Sequence, residues 1–132
     1  SNINISQGKG EEAAKVLTQI LDRDPNNGDA LNSLASYYAE MVEVQDGKEV
    51  KRQARDFEMA EMLLLRAEDL TNNQAKLRAL TQHARLLVGK KDTDSLRKAV
   101  RLLERAQEIE SSESVEQYIQ VIRTAIASSS AR

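Results

Sequence analysis

Apolar residues recur at spacings of three and four along almost the whole chain, the pattern of helices that each bury one stripe. Over residues 11–23 the stripe is Ala13, Ala14, Val16, Leu17, Ile20 and Leu21. The run Asp24-Pro25-Asn26-Asn27-Gly28 ends it, because proline disfavours the α region in the residue before it. A second helix carries Leu31, Leu34, Ala35, Tyr38 and Val42, with a weak point at Gln45-Asp46-Gly47-Lys48. A third, long helix aligns Phe57, Ala60, Leu64, Ala67 and Leu70 before Thr71-Asn72-Asn73 punctuates the chain. Leu77, Leu80, Ala84, Leu87 and Val88 predict a fourth helix that stops at Gly89. A fifth, capped by Asp94 or Ser95, is striped by Leu96, Ala99, Val100, Leu103, Ala106 and Ile109. A sixth, capped by Ser112 or Ser114, carries Val115, Tyr118, Ile119, Ile122 and Ile126. The expectation is an all-α chain of six helices and no strand. Its helical domain covers residues 10–127, with residues 1–9 a disordered or folded-back segment and residues 128–132 a flexible tail.

The helices alternate between two types. The segment from Asn26 to Ala35 aligns with that from Asn72 to Thr81, two leucines three apart in each (Leu31 and Leu34; Leu77 and Leu80), followed by a position held by Tyr38 or Ala84. The other type reads alanine, a leucine four on, and a further alanine or isoleucine. It occurs as Ala13-Leu17-Ile20, Ala60-Leu64-Ala67 and Ala99-Leu103-Ala106. The alanines mark sites of close helix approach, and the leucines fill the space beside them. On these residues the chain resembles the tetratricopeptide repeat family. Leu31, Leu34, Ala35 and Tyr38 match the first half of that unit, and Ala13, Leu17, Ile20 and Pro25 match the second. Thr81 and Ala84 depart from it, as does the spacing. The leading alanines lie 47 residues apart between Ala13 and Ala60 and 39 between Ala60 and Ala99, against a family period of about 34. The surplus falls at residues 44–53 and 90–93. The resemblance implies a right-handed solenoid of antiparallel helix pairs that binds other proteins.

Composition then removes several classes of function. The 19 lysines and arginines face 21 acids, a net charge of −2, which is not the basic footprint of a nucleic-acid binder or a membrane-surface protein. Aromatics make up only 3%, too few for base-stacking platforms. No apolar run reaches the roughly 18 residues of a membrane span, so a soluble chain without membrane insertion is expected, cytoplasm and periplasm being equally compatible. Absence of cysteine removes thiol catalysis, disulfides and cysteine-ligated zinc. His83 is the one histidine and is expected to be a surface or packing residue. Asp92-Thr93-Asp94 and the alternation Asp22, Asp24, Asn26 imitate the start of a calcium loop. In the first, Leu96 sits where an oxygen ligand belongs; in the second, Gly28 is one place late and Ser33 replaces the bidentate glutamate. Val88-Gly89-Lys90-Lys91 lacks the upstream glycine and the strand of a phosphate loop. No catalytic residue, cofactor or metal is expected, and the chain is read as non-enzymatic.

What remains is a face lined by first-type helices. Asn32 and Ser36 on one, and Arg78, Gln82 and Arg85 on another, are the expected partner-binding residues. Arg78 and Arg85, seven apart on one helical face with Gln82 between them, suit an acidic segment of another protein. The alternative is self-association, or a structural fragment of a longer solenoid serving as an assembly factor. The first helix has apolar residues on two sides, and one of them is expected to need cover beyond the helix that follows. A second copy of the chain, forming a homodimer, or Ile3 and Ile5 folding back, would supply that cover.

Overall fold

Asparagine or aspartate caps set where most of the helices begin. The computed structural model describes residues 2–130, and the side chains of residues 9–129. Its elements run α1 (Asn2–Arg23), α2 (Gly28–Ala39), β1 (Met41–Asp46), β2 (Glu49–Ala54), α3 (Phe57–Glu68), α4 (Asn73–Val88), α5 (Thr93–Ile109) and α6 (Glu113–Ser130). The side chains of Asn27, Asp56, Asn72 and Asp92 accept hydrogen bonds from the backbone N–H groups of Ala30, Met59, Ala75 and Ser95, which satisfies donors left open in each first turn. The cap of α5 is therefore Asp92, not the expected Asp94 or Ser95. Asp92 accepts from both the backbone N–H and the hydroxyl of Ser95, which holds its carboxyl below the usual carboxylate range.

The expected absence of strands is overturned by the hairpin between α2 and α3. β1 and β2 pair antiparallel from Met41↔Ala54 to Asp46↔Glu49, leaving a two-residue loop of Gly47 and Lys48. Gly47 has φ +64, and a positive φ at the first loop residue alone is the pattern of a type II′ turn. The flanking sequence Met41-Val42-Glu43-Val44-Gln45 alternates with period two, and its β-branched valines favour the extended chain. Val42 therefore belongs to a strand and not to the α2 stripe. The base of the hairpin is fastened to the helix ends: the Asp56 N–H donates to the Tyr38 carbonyl at 2.8 Å, and the Arg55 guanidinium to the Tyr37 carbonyl at 2.7 Å. That guanidinium also lies over the Tyr37 ring. Most of the first surplus of the repeat spacing is this hairpin.

Both chain ends differ from expectation. α1 begins at Asn2 and not near residue 11, and α6 continues to Ser130, past the expected boundary at 127. Neither stretch contains proline, and a glycine such as Gly8 or Gly10 costs a helix only about 1 kcal/mol without breaking its hydrogen-bond ladder. The side chains of Ile3 and Ile5, and residues 1, 131 and 132, lie outside the described residues.

Each helix packs on the next in sequence, and α2 also packs on α4. Ala60, Leu64 and Ala67 of α3, with Ala99, Leu103 and Ala106 of α5, are all buried, as their pattern predicts. In α1 the register is shifted by one: Ala14 and Leu21 are buried and Leu17 half-buried, whereas Ala13, Val16 and Ile20 face solvent. Two buried clusters meet at α4. Ala79 and Leu86 belong to the one built with α1, α2 and α3, and Leu80, Ala84 and Leu87 to the one built with α5 and α6. The N-terminal turns of α2 and α4 touch at Gly28, where an added Cβ would lie 2.6 Å from the Ala75 Cβ. None of the described helices is long and apolar enough to cross a membrane.

Enlarging a close-approach site should overpack it. Ala60→Leu and Ala99→Leu are each expected to lower stability by about 1–3 kcal/mol, read as a fall in the denaturant midpoint. Val121→Ala, at a side chain 65% exposed, should leave that midpoint in place.

Candidate functional site

Helix α2 presents Asn32 and Ser36 toward α4, and the structure joins three of the five expected binding residues to one another. The Asn32 amide is buried and donates to the Gly28 carbonyl at 3.0 Å in its own helix and to the Ala75 carbonyl at 3.1 Å across the interface. Gln82 Nε2 donates to Asn32 Oδ1 at 3.1 Å and to the Asn32 carbonyl at 3.3 Å, and the Ser36 hydroxyl donates to Gln82 Oε1. The network engages both polar atoms of the Gln82 amide. Asn32, Ser36 and Gln82 therefore tie α2 to α4 and are already bonded within the protein.

Arg78 and Arg85 differ from that trio. Both are exposed, and among the described residues neither makes an ion pair. Seven residues apart on α4, they stand about 10 Å apart along one helical stripe. Each rims a cleft between α4 and α6. Arg78 does so with Leu77 and Glu110 in a cleft of about 440 Å³, and Arg85 with Leu103 and Tyr118 in one of about 340 Å³. Thr81 and Val115 line both, so the two clefts adjoin. Burial pushes the Tyr118 hydroxyl above its ordinary pKa, against a smaller opposing effect of the Arg85 charge. Arg78 also borders a larger cleft of about 820 Å³ at the paired N-termini of α2 and α4, together with Arg66. The Arg66 guanidinium is occupied there, donating to the Pro25 carbonyl at 2.7 Å.

On the opposite side of α4 lies an ionic cluster that the pattern of the sequence does not announce. His83 is 5% exposed and Glu68 only 3%. Nδ1 of His83 lies 2.7 Å from Glu68 Oε2, and Nε2 lies 3.0 Å from Glu61 Oε2. Arg105 of α5 donates to the other Glu68 oxygen at 3.4 Å. Burial alone lowers the His83 pKa, but hydrogen bonds to Glu68 and Glu61, and the charges of both, outweigh it and raise the pKa above 6.5. His83 is thus not a surface residue but a buried, paired one. The one available signal was positional, since Glu68 falls eight residues after Ala60 on the buried stripe of α3. The two ring nitrogens point to carboxylates on opposite sides, and among the described residues no group of three or more ligand-type side chains could hold a metal ion.

No family model matches the chain, and neither does any curated protein or solved structure.

The two sets of residues should respond differently to truncation. Gln82→Ala strands the buried Asn32 Oδ1 and is expected to cost about 1–2 kcal/mol in chemical denaturation. Arg78→Ala and Arg85→Ala, at exposed sites without an ion-pair partner among the described residues, should each change stability by less than about 0.5 kcal/mol.

Proposed function

We propose that the chain is a non-catalytic interaction module: a TPR-like, right-handed stack of antiparallel helix pairs that holds a segment of another protein against the face formed by α2, α4 and α6. Support for the repeat reading comes from α3 and α5, whose alanine-leucine-alanine sets are buried at equivalent positions, and from the direct packing of α2 on α4. The observation that carries the binding reading is the pair Arg78 and Arg85. They are two exposed guanidiniums on one stripe, without carboxylate partners among the described residues, at the rims of adjoining clefts floored by Leu77, Leu103, Val115 and Tyr118. Guanidiniums bind carboxylates through paired, charge-assisted hydrogen bonds, so an acidic segment with apolar side chains between its charges is the complementary partner. In a polyproline II segment, which turns once every three residues with a rise of about 3.1 Å each, carboxylates three residues apart share one side and span about 9 Å, close to the rise between the two arginines.

The purified chain, used as bait and followed by mass spectrometry, would identify such a partner, and a peptide from its bound segment gives the affinity. The Arg78→Ala/Arg85→Ala double variant is expected to weaken that affinity by about three- to thirtyfold, the wild-type affinity falling as salt is raised. A bound segment indifferent to both arginines and to salt would remove this reading.

A second reading, self-association through α1, is favoured by a separate observation. Val16 is 53% and Ile20 37% exposed on the side of α1 away from α2. The surface at issue comprises these two side chains with Ala13, whereas Leu21 is buried. On this reading a dimer forms at tens of micromolar, as an order of magnitude, in sedimentation experiments, and Val16→Glu/Ile20→Glu returns it to monomer.

A further inference from the structure

A neutral imidazole carries one N–H and one lone pair, whereas an ionised carboxylate only accepts. His83 sets each ring nitrogen within hydrogen-bond distance of a different carboxylate, Glu68 at 2.7 Å and Glu61 at 3.0 Å. With a neutral ring and two ionised carboxylates, one of these contacts would oppose lone pair to lone pair. One additional proton is needed for both contacts to be hydrogen bonds. Arg105 donates a charge-assisted hydrogen bond to the other oxygen of the buried Glu68 carboxyl from the α5 side. The Glu61 side chain is about one-third exposed and so partly hydrated. The proton therefore resides on the ring. The charged groups that meet here are Glu61 and Glu68 from α3, His83 from α4 and Arg105 from α5; the α2 side chains bonded to α4, Asn32 and Ser36, carry none. Glu61, Glu68, Arg105 and a protonated His83 sum to zero charge, and a neutral ring leaves the group with a net charge of −1.

We propose that Glu61, His83 and Glu68, backed by Arg105, form a proton-operated latch between α3, α4 and α5, closed while the imidazole is doubly protonated and released when it loses that proton. The latch grips α4 on the side opposite Arg78 and Arg85, so its release loosens the α3 side of the helix that presents them. It stands on the hydrogen-bond geometry alone and is independent of any partner. The sign follows from the upward shift of His83. The ring contributes its full stabilisation below the unfolded-state value of about 6.5, and loses it as pH rises through the higher folded-state value.

His83 is the single histidine, so its Hε1 resonance in the intact chain reports this group alone. Titration by NMR between about pH 5.5 and 9, a range above the ordinary carboxylate values, is expected to give a midpoint above about 6.5. Glu61→Gln should lower that midpoint, because a carboxamide can donate to a bare ring nitrogen as well as accept from a protonated one. The difference in thermal midpoint between wild type and His83→Gln should be largest at the acid end and shrink through the same pH interval. If His83→Gln does not fold, the corresponding difference for Glu61→Gln, at a partly exposed position, takes its place. A His83 midpoint at or below about 6.5, a midpoint unmoved in Glu61→Gln, or a thermal difference flat across the range would each overturn the latch.

Discussion

Removing the Glu68 carboxylate from water imposes a requirement that three helices jointly meet. An ion of this size loses on the order of several kcal/mol of hydration when buried, so the fold keeps it only with close opposite charge and filled hydrogen bonds. The α3 residue is 3% exposed, and its two oxygens are taken up by His83 from α4 and Arg105 from α5. That arrangement fixes the rotation of α4 about its own axis. With His83 turned toward α3, the next residue back, Gln82, points about 100° away and meets Asn32 of α2. Arg78 and Arg85 share the Gln82 side of the helix but look outward. One ionic contact and one amide bridge, on consecutive residues, therefore decide which side chains of the central helix are available to anything outside the protein.

Close approach between backbones is the second determinant, and it separates the two ends of the helical array. α2 and α4 meet where Gly28 faces Ala75, a gap too small for one more methyl group. The polar residues beside that gap are consequently near enough to saturate one another. Between α4 and α6 the facing residues are Leu77, Arg85, Val115 and Tyr118, too large for such contact, and clefts remain. Side-chain size along one interface closes the face between α2 and α4, and along the next opens it.

How much of this was legible in the sequence depends on how strongly each segment distinguishes its two faces. α5 was readable because small and large apolar residues alternate there in an unbroken helical period; in α3 the alanine-leucine-alanine set marked the buried face, although Met62 and Leu65 of its continuous apolar run face solvent. α1 was readable as a helix but not in register. Its apolar residues come as the doublets Ala13-Ala14, Val16-Leu17 and Ile20-Leu21, which permit either of two faces, and only packing against α2 selects Ala14 and Leu21. The hairpin carried its own signal, a glycine at the first loop position after the alternating Val42 and Val44. Val42 also completed a plausible helical stripe from Tyr38, and that longer-range pattern masked the local one. At the candidate site, Asn32, Ser36 and Gln82 were visible as polar residues on first-type helices. Their bonds join residues 46 to 50 positions apart in the chain, which no local period encodes. The same is true of Glu68 and His83, whose pairing exists only once α3 and α4 are side by side.

The division of the polar face into bonded and unbonded groups bears on how a partner would gain affinity in the proposed reading. A ligand amide aimed at Gln82 must displace the Ser36 or Asn32 bond already there, an exchange of like for like with little net gain. Arg78 and Arg85 offer bonds now made only to solvent, yet exposed ion pairs contribute only about 0–1 kcal/mol each. Charge alone would therefore give register and a faster encounter more than tight binding. The larger contribution has to come from apolar side chains entering the adjoining clefts over Leu77, Val115 and Tyr118, where each well-buried aliphatic or aromatic group is worth about 1.5–3 kcal/mol. A segment that satisfies both demands carries acids three residues apart with apolar residues between them. Its apolar positions, more than its charges, would set how long it stays bound.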